Sequence, residues 1–446
     1  MDSQILQVGF ARVNITPEES VPLGGYGNTS MRMSQNVRDD MFANCAAISD
    51  TEGNTVLLFA SDLVSSPASR FDPIRQNISQ QTGIPFDNIH FSASHMHSGP
   101  DLNNKEQPSI ERYLPQLSEN MLTAAREALA DRKPAQMYIT STITKGLNFV
   151  RRYKLKGDIY VGYQSDITDR SLLAGHETDA DPQLQLVKFR REGGKDLIVA
   201  NFQTHPHRGG GAKKYEITAD IVGAFRNKLE AELDCHAMYF TGASGNINPK
   251  SQIEEENIVF TIEEHGEALA QYALDAEATY VPVASGKVQV LRHTYVGKIN
   301  HTQDHMVEQA KQIQQLWKQC NSIAECRRVG LPMGINSPYH ANSIIAKLEM
   351  PETSSFDIYA MAIGDVAFVA APYEMYDTSG MYIKEHSPFP STIVMTCCDG
   401  GNGYFPTLFA CSHGGYEPDT TKYLPGTAED LAKTYVDLLK KLRQSN

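Results

Sequence analysis

The sequence predicts an α/β protein in which mixed β-sheets are flanked by helices. Three observations carry that expectation. Strand-length apolar runs alternate with helical periodicities through the first 280 residues. Several of these runs end directly in histidine, glycine, proline or asparagine. No run reaches the ~18 uninterrupted apolar residues of a membrane-spanning helix.

Taken in order, Thr55 to Leu63 and Asn88 to Ser94 read as buried strands. Glu111 to Arg132 places Leu114, Leu117, Met121, Ala124, Ala125 and Leu129 on one helical face. Asp196 to Gln203 reads as a strand, Ile221 to Leu233 as a helix, His236 to Thr241 as a strand and Phe260 to Glu277 as a helix. Thr302 to Cys326 is polar and helical, and Gly330 to Ala341 has the Gly, Pro and Asn content of a loop or lid. Asp357 to Ala371 reads as two strands around Gly364-Asp365, a hairpin signal. Ala428 to Leu442 closes the chain as a helix. No internal repeat, low-complexity tract or interdomain linker is visible. Residues 1–446 are therefore expected to form one domain with a helical and loop insertion around 300–345.

The 446 residues carry a formal net charge of −13 and no Lys/Arg stripe, which excludes a nucleic-acid partner. Hydrophobic residues make up 41%, enough for a sizeable core, and no integral membrane segment is expected. The start, MDSQILQVGF, lacks the basic and apolar regions of a signal peptide. The seven cysteines are odd in number and irregularly spaced, with Cys397 and Cys398 adjacent, so no disulfide framework is read. A cytoplasmic setting is the simplest expectation; a secreted protein trimmed of its leader reads the same way. Oligomeric state is not legible.

The chemistry gathers at strand ends. Ser92 to Pro100 holds His95-Met96-His97 just past a strand. In extended chain, residues two apart face one side, so the pair suits a metal, or equally two satisfied loop histidines. A second strand runs into Thr204-His205-Pro206-His207-Arg208, of which His207 and Arg208 read as solvated loop residues. A third is followed by Gly242 to Pro249, with Asn246 and Asn248 as hydrogen-bonding side chains. Glu374 follows Pro372-Tyr373, and Tyr404 follows a glycine-rich turn after Cys397, with Tyr416-Glu417 beyond it. Four strand ends thus offer His, His, Glu and Tyr. Zinc takes such N and O donors and acidifies water, so the residues point to a metallohydrolase without choosing the bond.

In order and wording these segments resemble the catalytic domain of the neutral, non-lysosomal ceramidases. The opening Val8 to Thr16 and Gly24-Gly25-Tyr26-Gly27 match that family's start. Ser61-Asp62-Leu63, Ala93 to Pro100, Thr204-His205-Pro206, Pro372-Tyr373-Glu374, and Tyr404 with Tyr416-Glu417 match its later motifs. The resemblance implies a ceramidase-like α/β fold and Zn2+ held by His95, His205, Glu374 and Tyr404. It implies His97 beside the scissile bond, Tyr416 lining the site, and an active-site arginine at Arg151 or Arg152. In the family's corresponding segment an Asp falls on Asn246 and a Ser implicated in catalysis falls on Asn248; an amide cannot act as a serine-type nucleophile, so either zinc-bound water attacks or the protein has a different task. No counterpart of the family's immunoglobulin-like C-terminal domain is read. The expected function is zinc-dependent hydrolysis of an N-acyl amide, ceramide or a related small or lipid-like molecule. The rivals are an ester or phosphoester hydrolase, and a metal-stabilised binding protein without turnover.

Overall fold

A computed structural model describes residues 5–26, 32–211, 214–284 and 286–445, so Gly27 of the glycine-rich opening lies outside the described residues. The chain is a mixed α/β structure built from one pattern used three times: a three-strand antiparallel meander, a helix, a fourth strand parallel to the third, and a second helix. The first unit comprises β1 (Leu6–Asn14), β2 (Phe42–Ser49), β3 (Thr55–Ser61), α1 (Ala68–Thr82), β4 (Ile89–Ala93) and α2 (Pro108–Ala130). The second comprises β5 (Lys133–Ile143), β6 (Gln183–Arg191), β7 (Leu197–Phe202), α3 (Asp220–Leu233), β8 (His236–Thr241) and α4 (Ile262–Asp275).

The third unit begins with β9 (Val288–Lys298) and is then interrupted by α5 (Val307–Cys320), α6 (Ile323–Gly330) and α7 (Pro338–Lys347). It resumes with β10 (Thr353–Ile363), β11 (Val366–Ala370), α8 (Asp377–His386), β12 (Ser391–Met395) and α9 (Thr427–Gln444). Units one and two join through β1 and β5, giving the strand order β8-β7-β6-β5-β1-β2-β3-β4; β9 to β12 form a second sheet.

The two sheets face each other across an apolar layer in which Val8, Leu58, Phe189 and Phe240 meet Met361, Phe368 and Ile393. Helices α1 and α2 cover the outer face of one half of the large sheet, and α3 and α4 the other half. The outer face of the small sheet packs on α9 through Leu431, Tyr435 and Leu439. Strands such as β11 (VAFVA) are buried on both faces, which is why they read as unbroken apolar runs.

Local signals set several boundaries. Thr261 and Glu264 form a reciprocal cap at the start of α4. The expected helix Thr302 to Cys326 is two helices, because Asn321 turns left-handed (φ 46°) and Ser322 caps the next. The expected loop at 330–341 is partly helical: the Ser337 hydroxyl accepts from the His340 N–H, and Pro338 occupies the first helical position. Ala310, Ile313, Cys326, Ile335 and Ile344 give the inserted helices a small core of their own. All seven cysteines are free thiols, and among the described residues no helix is long and apolar enough to cross a membrane.

Candidate functional site

In each unit the third and fourth strands are parallel, and the C-terminal ends of all three pairs converge. The Thr241 hydroxyl donates to the Ser94 carbonyl (2.6 Å), and the Thr396 N–H donates to the Thr241 carbonyl (3.0 Å). The ends of β4, β8 and β12 are thereby tied together, and ligands of α/β sheets gather at such ends.

His95 leaves β4 in the left-handed region (φ 65°), so the His95-Met96-His97 stretch is not the extended chain expected. Both rings nevertheless face one cluster. His95 Nδ1 bonds the Val64 carbonyl (2.6 Å), and His205 Nδ1 bonds the Ile247 carbonyl (2.9 Å). Each carbonyl accepts a proton from Nδ1, which leaves the Nε2 lone pair of both rings pointing inward. Glu374 Oε2 lies 3.3 Å from His95 Nε2 and 3.2 Å from His205 Nε2. His97 Nε2 lies 3.5 Å from His95 Nε2.

Each of His95, His97 and His205 brings one ring nitrogen within 4.8 Å of the others, and all three are buried. Lone pairs facing a carboxylate repel unless a cation or proton lies between them, so this buried donor set fits a bound metal ion. A short parallel pairing sets Glu374 beside Tyr404, whose ring lies 5.3 Å from the Arg151 guanidinium.

Charge follows the geometry. Burial alone would raise the Glu374 pKa, but His95 and His205 hold it well below the usual carboxylate range. Burial opposes a proton on His95, yet the Cys397 thiol and Glu374 beside it keep its pKa high. Burial and the neighbouring His95 and His207 push His97 down; burial lowers His205 to about 4 and His207 to about 3. Burial and then Glu374 raise Tyr404.

Above the cluster lies a cavity of about 340 Å3 whose walls include His97, Arg151, Asn248, Tyr404 and Tyr416. Of the arginine pair, only Arg151 reaches it, held by Glu417 (2.6 Å) and the Gly245 carbonyl (2.9 Å). Arg152 faces the other way, fully buried against Glu177 and Glu417. Asn246 is likewise withdrawn: it exchanges two hydrogen bonds with Asp377 and anchors α8. Asn248 stays at the wall and binds His207 Nε2 through its carbonyl oxygen (3.1 Å).

His207 is not the solvated loop residue expected. Its ring packs 5.2 Å from His97 and 5.6 Å from His205 and lines the cavity. The second histidine of His-Pro-His, spaced like that of His-Met-His, was the signal. Arg208 turns away to His265 and the Val259 carbonyl. From the insertion, Tyr339 reaches the cavity wall, His340 is buried against Gln303 and Asn336, and Asn342 is exposed. The glycine-rich opening supplies a floor: a Cβ on Gly25 (φ 91°) would lie 2.3 Å from His97 Cγ, and the Tyr26 ring meets His97 edge-on at 5.1 Å.

No protein-family model and no curated protein matches the chain. Solved structures do. The neutral ceramidase of Pseudomonas aeruginosa superposes with a TM-score of 0.72 at 16% identity, over 100% of this chain and 75% of that one. A ceramidase complexed with C2 superposes with a TM-score of 0.71 at 15% identity, over 99% of this chain and 76% of that one. The chain has the neutral-ceramidase fold.

Proposed function

We propose that this protein is a zinc-dependent hydrolase of acyl amides. The observation that carries the reading is the pair of imidazoles, His95 and His205, each locked through Nδ1 to a backbone carbonyl with Nε2 turned onto Glu374. His95, His205 and Glu374 would hold the ion, with Tyr404 beside Glu374 as the fourth ligand; nitrogen and oxygen donors in this ratio suit zinc. Bound there, zinc supplies a Lewis acid for the acyl carbonyl and a water ionised near neutral pH.

The remaining steps belong to the chain. His97, neutral and inside the cavity, takes a proton from the attacking water and returns it to the leaving nitrogen. Arg151 and Tyr416 stand where they can hydrogen-bond the carbonyl oxygen as it gains charge. Asn248 and His207 form a fixed polar wall that orients the amide. The neutral-ceramidase fold supports an amide over an ester or phosphoester, since the solved protein it superposes on is named for cleaving one.

The test is the His205→Ala variant beside the wild-type chain. Zinc content should fall from about one per chain to below a tenth, and hydrolysis of fluorogenic N-acyl amides should vanish with it. Full zinc occupancy in that variant refutes the ligand assignment. Zinc binding without hydrolysis of any acyl amide by the wild type refutes the activity.

A further inference from the structure

We infer that Asp419 is a positioning residue: its carboxylate fastens residues 299–352 against the cavity and so fixes the tyrosine wall on which a substrate lies. The inference rests on the reading of this cavity as the substrate site. It concerns how the wall is held, not which bond is cleaved.

Residues 299–352 hang from the β9–β10 stem. Lys298 at the end of β9 pairs with Thr353 at the start of β10, and the Ile299 N–H donates to the Glu352 carbonyl (2.9 Å). Beyond the stem the inserted helices carry a small core of their own, which includes Ala310, Ile313, Cys326 and Ile344. A unit with its own core on a two-stranded stem can swing as a body once the contacts that dock it are lost.

Asp419 gathers those contacts. It lies in the short helix Tyr416–Thr420, whose first residue lines the cavity. Asp419 is buried, and a single oxygen, Oδ2, accepts from the Tyr163 hydroxyl (2.8 Å) and from Asn336 Nδ2 (2.8 Å). With its one proton given to Asp419, the Tyr163 hydroxyl accepts in turn from the Ser337 hydroxyl (3.0 Å). Ser337 caps α7, and Tyr339, two residues on, reaches the cavity wall. One carboxylate oxygen thus joins the insertion, through Asn336 and Ser337, to Tyr163 and to the helix that bears Tyr416.

Arg327, also from the insertion, grips the same place. Its guanidinium lies 4.6 Å above the Tyr163 ring, donates to the Asn336 carbonyl (2.7 Å) and pairs with Asp166. Tyr163 and Tyr339 both meet the Tyr416 ring, at 6.4 and 5.9 Å, so the placement of all three rings depends on the junction at Asp419. Hydrogen bonds to a carboxylate are among the stronger ones, and removing the shared acceptor leaves both donors unmet beneath the insertion.

The experiment compares the zinc-loaded full chain with its Asp419→Ala and Asp419→Asn variants by amide hydrogen exchange. It then titrates each calorimetrically with benzohydroxamate and acetohydroxamate, which chelate the metal whether or not any amide is cleaved. In Asp419→Ala, exchange at 330–341 and 160–166 should quicken by about ten-fold or more, with the strands of both sheets unchanged. Asp419→Asn keeps an accepting oxygen in place and should stay within about three-fold of wild type. Benzohydroxamate, whose ring rests on the tyrosines, should bind about ten-fold more weakly to Asp419→Ala, and acetohydroxamate should change by less than about three-fold. Unchanged exchange in Asp419→Ala would overturn the fastening. Equal weakening of the two hydroxamates, or loss of zinc, would reduce Asp419 to a structural residue. If Asp419→Ala does not fold, the Tyr163→Phe, Asn336→Ala double variant removes the two donors instead and should reproduce the faster exchange. Failure of both hydroxamates to bind the zinc-loaded wild type would sink the metal-site reading of the proposed function, and the exchange comparison would still decide the fastening.

Discussion

Two buried polar clusters hang from the same loop and are resolved in opposite ways. At one end of residues 397–404, Asp399 is saturated. It accepts from the Arg75 guanidinium and the Phe91 N–H, and its other oxygen bonds His90 Nδ1 at 2.7 Å. Arg75 and His90 hold Asp399 below the usual carboxylate range against the pull of burial. At the other end, Tyr404 closes a cluster in which like atoms face each other: His97 Nε2 against His95 Nε2, and two imidazole nitrogens against one carboxylate oxygen. A buried carboxylate that accepts from a guanidinium and an imidazole acts as architecture, whereas two imidazole nitrogens turned onto one carboxylate oxygen form a donor set that suits a shared cation. The loop is thus pinned where it crosses the strand ends, so that Tyr404 is presented at a fixed place.

The comparison breaks most forcefully at Asp399. Asp399→Ala strands Arg75 and His90 as buried groups without their acceptor, and should cost about 3–5 kcal/mol in thermal or urea unfolding of zinc-free protein. Zinc should still raise the melting temperature of that variant, because the imidazole cluster survives. His205→Ala should behave in reverse, with a modest effect on the zinc-free protein and no stabilisation by zinc. If both variants respond to zinc alike, the two clusters do not differ in kind.

A smaller effect sharpens the line inside the metal cluster. His97 is as close to His95 as a shared ligand would be, yet it also faces the cavity. His97→Gln should keep zinc and lower kcat by about 10^2–10^4, the usual worth of a positioned acid or base. Loss of zinc together with turnover would instead make His97 a third histidine ligand, leaving the proton transfer to His207.

What could be read from the sequence follows the same division. His95, His205 and Glu374 were legible because each lies within four residues of a buried parallel strand, and those strands announce themselves as apolar runs. The meander strands β1, β2, β5 and β6 carry polar residues between apolar ones, and although β2 and β6 turn directly into β3 and β7, the pairings β1–β2, β1–β5 and β5–β6 join segments far apart in the chain, which no local signal assembles. The threefold repetition is invisible for the same reason, since the units share a strand order but no residue pattern. Arg151 and Arg152 could not be separated because neighbours in near-extended chain point to opposite sides, and only the packing shows which side is the cavity. His207 reads from the sequence as a solvated loop residue, although its spacing from His205 repeats that of the first pair. The helix start at Ser337-Pro338 was written in the sequence as a cap and was outweighed by the Gly and Asn around it.

The smallest expected effect concerns a buried histidine outside both clusters. His265 on α4 accepts a hydrogen bond from Arg208 Nε (3.0 Å), and burial together with that guanidinium pushes its pKa down to about 3. The unfolded value is near 6.5, so between about pH 3 and 6.5 the unfolded chain binds the extra proton and the folded chain does not. Stability therefore rises with pH across that window and is lost as pH falls below about 6.5. The slope approaches 1.36 kcal/mol per pH unit once well inside the window, which gives roughly 1–2 kcal/mol between pH 6.5 and 5. Asp377 works against it, because burial raises its pKa to about 6 and the folded chain then holds the extra proton above about pH 4. In zinc-free protein, His265→Gln should remove one histidine's share of the acid sensitivity, so the difference in melting temperature between pH 7 and pH 5 narrows relative to wild type. Asp377→Asn should widen it. An unchanged difference in His265→Gln would mean that the acid-sensitive protons belong to other imidazoles, those of the metal cluster or His236 and His340, and zinc would then suppress only the metal cluster's share.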